Sequence, residues 1–223
     1  MQLVKTCLCG GKVDFSFEFS KIHDLPILKC ACGVLHQKIN MTAAQHEKYE
    51  ASAYDHERYD HDKEIAELRM GKHDLWFKGT RLLDVGAGNG AFVDVAREYG
   101  LDAWGVERNA AAYKRGNSYL GTLESQRFEA QEFDNITVHD VLERLVDPIA
   151  ELEEIHRILA VSGMLVVEIP DYYDPSGIHH WRPEHLWFFD KDQCKRTIVR
   201  QGFSILKIDK PIPSKTTLYA EKT

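Results

Sequence analysis

At 223 residues, with 43% hydrophobic and 28% charged side chains, the chain has enough apolar mass for one substantial core plus a small appendage, and no long disordered tract. Its net charge of −7 comes without a run of lysines and arginines, which argues against general attraction to nucleic acid or to a membrane surface, since phosphate binding needs clustered positive charge. No segment reads as a signal peptide or a membrane span, so a cytoplasmic location is expected and the five cysteines read as thiols or metal ligands before disulfides.

Four of those cysteines form two similar pairs, Cys7-Leu-Cys9-Gly10 and Cys30-Ala-Cys32-Gly33. Between them Val13, Phe15, Phe17 and Phe19 alternate with polar residues, which predicts a β-hairpin with a cysteine knuckle at each end. Four thiolates so spaced meet the tetrahedral requirement of structural zinc, with Cys7, Cys9, Cys30 and Cys32 as ligands. A metal-free hairpin and a redox module are the alternatives. Residues 1–40 are expected to form this module.

From 41 to 78 the sequence turns polar and helical in character, with Tyr49, Tyr54 and Tyr59 among histidines and acids. It reads as a connecting segment, and a lid is one role for it. From 79 to 223 apolar runs alternate with amphipathic stretches, the pattern of a mostly parallel sheet covered on both faces. Strands are predicted at Arg81–Val85, Ala103–Glu107, Asn135–His139 and Met164–Ile169, with a third strand near Gln126–Phe128. Helices are predicted at Ala91–Tyr99, Ala110–Tyr119, Pro148–Leu159 and Lys191–Gln201. A loop of about twenty residues after Pro170, rich in His, Trp and Tyr, has the length of a functional loop. Phe203–Asp209 and Thr217–Glu221 suit an antiparallel hairpin at the sheet edge. The expected fold is α/β: a Rossmann-like doubly wound sheet, mostly parallel, with an antiparallel C-terminal hairpin and a small zinc-ribbon-like β-hairpin at the N-terminus.

The strongest motif is Leu82-Leu83-Asp84-Val85-Gly86-Ala87-Gly88-Asn89-Gly90, an apolar strand running into a glycine turn and then a helix. Such glycines let the backbone turn sharply and approach a ligand closely. Gly86, Gly88 and Ala91 also satisfy a dinucleotide fingerprint. Asp84 separates the two readings: an acid beside the turn repels a pyrophosphate and attracts the cationic amino group and sulfonium of S-adenosylmethionine (SAM). Glu107, ending the next strand, can accept both ribose hydroxyls in either case.

Together these stretches resemble the class I SAM-dependent methyltransferases. LLDVGAGNG resembles their first motif and the acid of WGVER their second. FDNITVHDVLERLVDP and EIHRILAVSGMLVVEIP resemble their fourth-strand segment and the helix and strand that follow. The resemblance implies that Asp84, Gly86, Ala87 and Gly88 hold the methionyl part of SAM, that Glu107 holds the ribose and that Arg108 flanks the adenine. The chain departs from the family at Leu142-Glu143-Arg144, where relatives carry Leu-Glu-His.

Methyl transfer requires alignment and, for some acceptors, a general base. His139 ends a strand where ligands bind in this architecture, so it is expected beside the cofactor. His185 lies in the long loop among Trp and Phe residues and is expected to face the acceptor as the base, while Leu186, Phe188 and Phe189 pack. Cys194, on a helix, reads as packing. The expected activity is methyl transfer from SAM to a small molecule, at an oxygen of a sugar or quinone-like metabolite. A non-catalytic SAM-binding module and an NAD-dependent oxidoreductase are the rival readings.

Overall fold

A computed structural model describes residues 7–9, 18–22, 25–30, 32–37, 43–52, 59–174 and 182–223. Val13, Phe15, Phe17, Tyr54, His179, His180 and Trp181, singled out in the sequence, lie outside the described residues. A seven-stranded sheet in the order β10-β11-β8-β7-β4-β5-β6 forms the core. Its strands are β4 (Arg81–Val85), β5 (Asp102–Glu107), β6 (Ser118–Leu120), β7 (Phe133–His139), β8 (Leu159–Pro170), β10 (Phe203–Asp209) and β11 (Lys215–Lys222). Pairing is parallel from β6 across to β8, while β11 runs antiparallel to both β8 and β10. The centre of β8, Met164 to Ile169, is buried throughout, which is why it reads as a continuous apolar run and not as an alternation.

The helices start where capping chemistry permits. Asp147 accepts a bond from the Ala150 amide ahead of Pro148 in α5 (Pro148–Ile158). Asp190 and Gln193 close a reciprocal capping box on α6 (Lys191–Arg200). The helix after the glycine turn, α3 (Ala91–Glu98), buries Phe92, Val93 and Val95 against the sheet. Ahead of the sheet stand α1 (Ala43–Ser52) and α2 (Tyr59–His73). No helix of the described residues is long and apolar enough to cross a membrane.

Two expectations in the middle of the chain are corrected. Residues 110–119 do not form a helix: Asn109 turns the backbone by accepting from the Ala111 amide, and Gly116 takes a φ of 103°. Ser118–Leu120 then forms the outer strand β6. The strand expected near Gln126–Phe128 is instead the end of a short helix, α4 (Leu123–Gln126), capped by Thr122 and closed by Arg127 at φ 56°.

A second, small sheet has the order β1-β2-β3-β9, from β1 (Glu18–Ile22), β2 (Leu25–Lys29), β3 (Leu35–Gln37) and β9 (Trp187–Phe188). Its last strand comes from the long loop after β8, so the N-terminal hairpin is stitched to the main domain. Leu35 pairs with Phe188 and His36 with Trp187. Cys7, Leu8, Cys30 and Val34 share one apolar cluster with Leu186, Trp187, Phe189 and Ile198.

Candidate functional site

The chain builds outward from β4 to β5 and β6, then returns to place β7 on β4's other side. The crevice at such a switch point, outside the carboxyl ends of the strands, is where ligands bind in this architecture. Here it opens into a cavity of about 370 Å³, large enough for a small ligand. Asp84, Gly86, Ala87, Gly88, Glu107, Arg108 and His139 all line it.

Gly86 and Gly88 hold φ values of 75° and 53°, in the left-handed region that glycine enters without strain. A Cβ on Gly86 would come within 2.3 Å of Val141 Cγ2, so even alanine would fill the turn. The Gly86 amide donates to the Val106 carbonyl at 2.8 Å, which locks the turn onto β5. Glu107 is buried at the end of β5. Its Oε2 accepts from the Gly88 amide at 2.8 Å and its Oε1 from the Asn109 amide at 2.6 Å, so two backbone donors hold the carboxylate at the cavity wall. Asp84 is buried, and its Oδ1 accepts from Thr137 Oγ1 at 2.7 Å. Arg108 and Glu151 meet the wall near Thr122 and Leu123. Burial pushes the Glu151 carboxyl up to about 7 although Arg108 draws it down.

The segment ahead of the sheet closes the other side. Asp62, Ile65, Ala66 and Arg69 of α2 line the cavity, and Asp62 accepts from Asn89 Nδ2 at 2.9 Å. Tyr59 donates to Asp94, which also receives Lys114 and the Asn117 amide, so the start of α2 is latched to α3. The Arg69 guanidinium bonds to Glu168 and to Asp140. Burial alone would push the Asp140 carboxyl up, but Lys215 and Arg69 hold it well below the ordinary carboxylate range. Sequence reading passed over Arg69 and His73. Residues 62, 66, 69 and 73 recur at spacings of three and four, the signature of one helix face, which was the available signal.

The two histidines expected at the acceptor fall in different places. His139 lines the cavity, its Nδ1 3.3 Å from Asp84 Oδ1 and its Nε2 3.2 Å from His73 Nε2. His185 is not on the wall: it is buried behind it, with Nδ1 2.8 Å from the Tyr172 hydroxyl and Nε2 3.9 Å from Glu143 Oε1. The reason is the small sheet. Pairing of β9 with β3 draws the chain inward, and the Leu186 amide donates to the Glu143 carbonyl at 2.7 Å. Leu186, Phe188 and Phe189 pack in the core with it, as does Cys194.

Glu143 itself is fully buried, and neither carboxyl oxygen has a hydrogen-bond partner among the described residues. Burial, then the charge of Asp140, pushes its carboxyl up to about 8, against the pull of Arg144 and Lys215. The unfolded chain ionises this group near 4.5 while the folded one keeps its proton, so stability falls as pH rises from about 4.5 to 8 and is flat beyond. Glu143→Gln, a neutral isostere, is expected to match the wild type at pH 5 and to melt at a higher temperature at pH 9. Identical melting curves at pH 9 would show that Glu143 ionises in the folded protein as readily as in the unfolded chain.

At the N-terminal knuckles the four sulfurs of Cys7, Cys9, Cys30 and Cys32 all lie within 4.8 Å of one another. Cys7 and Cys32 are 3.4 Å apart and Cys9 and Cys30 3.9 Å, far longer than a disulfide and close to the edge of about 3.8 Å that Zn–S bonds of about 2.3 Å give a tetrahedron.

The family described as "Methyltransferase domain" matches residues 43–208. The ubiquinone biosynthesis O-methyltransferase of Roseobacter denitrificans is 25% identical over 159 residues, 57% of this chain and 64% of that protein, so the match spans less than two thirds of that relative. Among solved structures, a SAM-dependent methyltransferase from Archaeoglobus fulgidus superposes with a TM-score of 0.61 at 18% identity, covering 72% of this chain and 94% of that one. An S-adenosylmethionine-dependent methyltransferase from Mesorhizobium loti gives 0.57 at 16%, covering 74% and 100%.

Proposed function

The chain belongs to the class I SAM-dependent methyltransferases, and from that premise we propose that it moves the methyl group of SAM to an oxygen of a small-molecule acceptor, a sugar or a quinone-like metabolite. The observation that carries the reading is the cavity at the switch point, where two acids flank a glycine turn in which a Cβ on Gly86 would collide with Val141. SAM, when bound, supplies an electrophilic methyl carbon on a sulfonium.

The residues present fit it. Glu107, already held by two backbone amides, has lone pairs left for the ribose hydroxyls. Gly86, Ala87 and Gly88 let the backbone approach the ligand. Asp84 would receive the ammonium group, and Arg69 on the opposite wall would attract the carboxylate. Arg108 would flank the adenine. Asp84 and Asp62 disfavour a pyrophosphate at the same place. The chemistry then depends on holding the acceptor in line and excluding water, with α2 as the roof. Both His139 nitrogens already face Asp84 and His73, and His185 sits behind the wall, so a base role for either would require those contacts to break.

Residues 1–40 form, in this reading, a zinc module, 41–78 a helical roof and 79–223 the SAM-binding domain. Sulfur spacings close to those of a tetrahedral site support zinc. The ubiquinone O-methyltransferase relative supports a quinone-like acceptor and an oxygen nucleophile.

Incubating the enzyme with methyl-labelled SAM and a metabolite extract tests the proposal. The label is expected on one small oxygen-bearing acceptor. SAM binding without label transfer to any metabolite would favour the non-catalytic reading, and binding of NADH with no binding of SAM would overturn the cofactor assignment.

A further inference from the structure

We propose that His73, on the helix that roofs the cavity, is a positioning residue for cofactor binding: acting through His139, it orients the Asp84 carboxylate toward the ammonium end of SAM. This rests on the SAM reading above and adds to it a residue outside the sheet.

Four side chains form one line. Asp84 Oδ1 lies 3.3 Å from His139 Nδ1, His139 Nε2 lies 3.2 Å from His73 Nε2, and His73 Nδ1 lies 3.1 Å from the Tyr219 hydroxyl. The two imidazole planes are 10° apart with ring centroids 5.3 Å from one another, so the rings meet end to end. His73 and Tyr219 are 0% and 1% exposed, so water does not compete for these groups.

The proton positions follow from the ends of the line. A lone pair on His139 Nδ1 facing a carboxylate oxygen would be repelled, so that nitrogen carries the hydrogen. With one hydrogen on the ring, held at Nδ1, His139 presents a lone pair at Nε2, and His73 donates to it from its own Nε2. His73 Nδ1 is left as an acceptor, and the Tyr219 hydroxyl donates to it. Burial first, with the Arg69 charge acting in the same direction, keeps His73 neutral, which this direction requires. Reversing any one proton would put two lone pairs or two hydrogens face to face.

The consequence falls on Asp84. Its Oδ1 accepts the Thr137 hydroxyl and lies 3.3 Å from His139 Nδ1, which leaves Oδ2 for a ligand. Remove His73 and His139 is free to flip its tautomer or turn its ring, and Asp84 loses one of the two groups that fix its plane. Because His73 belongs to α2, docking of the roof and preparation of the amine site become one event. Packing of α2 does not depend on the imidazole nitrogens: Ala66 and Met70 are buried in the cluster with Phe92 and Val95.

The test titrates the full-length protein and its His73→Phe and Tyr219→Phe variants with S-adenosylhomocysteine, with its analogue lacking the amino group, and with adenosine. Wild type is expected to prefer the amine-bearing ligand by about tenfold or more, the worth of a charge-assisted hydrogen bond. In His73→Phe, which keeps the ring volume, that preference is expected to shrink to about threefold or less while adenosine affinity holds. Tyr219→Phe is expected to fall between. A uniform loss for all three ligands, or an undiminished preference for the amine, would overturn the inference and make His73 a packing residue. Nitrogen-15 NMR of the ligand-free wild type reads the tautomer directly: hydrogen on His139 Nδ1 is expected, and hydrogen on Nε2 would overturn the proposal even if His73→Phe fails to fold. Wild-type protein that binds none of the three ligands would overturn the SAM reading and the amine assignment with it. Binding in which the amine preference ignores His73 overturns the present inference alone.

Discussion

Glu107→Ala is expected to weaken SAM binding by about 10²–10⁴-fold, the cost of two hydrogen bonds to a charged acceptor at about 1.5–3 kcal/mol each. The site is unforgiving because the carboxylate has two jobs. Besides facing the ribose, it accepts from the Gly88 and Asn109 amides, and so holds both the glycine turn and the chain leaving β5. Alanine strands those amides and slackens the turn. Calorimetry with SAM measures the loss, and thermal unfolding of the same sample establishes that the fold survives. Glu107→Gln, which retains a carbonyl acceptor, is expected to lie between the two. Unchanged affinity in Glu107→Ala would place the ribose elsewhere and remove the second acid from the proposed site.

The other large effect is expected from the cysteine module. Protein purified without an affinity tag should carry one zinc ion per chain by elemental analysis, bound by Cys7, Cys9, Cys30 and Cys32. Cys30→Ser should release it. Structural zinc contributes folding free energy outright, so even a loss of about 3 kcal/mol lowers the melting temperature by roughly 10 °C in a chain of this size. The damage should reach the cavity. Gln37, within the module, donates its backbone amide to the Leu186 carbonyl at 2.9 Å, the Leu186 amide donates to the Glu143 carbonyl, and Trp187 Nε1 donates to the Leu145 carbonyl at 2.8 Å. Arg144 and Leu145 line the wall. Methyl transfer should therefore fall more than SAM affinity does, since Asp84 and Glu107 are held by Thr137 and by the Gly88 and Asn109 amides, none of which belongs to that strap. Absence of zinc under reducing conditions would leave the metal-free hairpin as the reading.

Much of the molecule is legible without coordinates, and the legible parts share a cause. Strand β4 and the glycine turn announce themselves because a buried parallel strand must be apolar and because the turn needs residues tolerant of positive φ. Asp84 and Glu107 are readable for a related reason: each sits at a strand end next to that turn, and strand ends are where this architecture gathers ligands. The capped helices α5 and α6 carry their start signals within four residues. Local chemistry in one stretch of chain suffices for each of these.

What failed or went unseen depends on contacts between distant segments. The stretch 110–119 has the composition of a helix, but Asn117 is needed at the core, where its amide reaches the Gly90 carbonyl and Asp94, and the chain turns to deliver it. His185 sits in the kind of aromatic loop that lines acceptor pockets. Only the pairing of β9 with β3, 153 residues away at Leu35 to Phe188, sends it behind the wall instead. Arg69 and His73 are ordinary polar residues of a helix until that helix docks over the switch point. Sequence by itself determined the inner strands of the sheet, the turn and the two acids, because those follow from local backbone geometry and burial. Tertiary structure decided which histidine reaches the cavity and which charge faces which, because a side chain's protonation and direction are set by neighbours that the chain order keeps far apart.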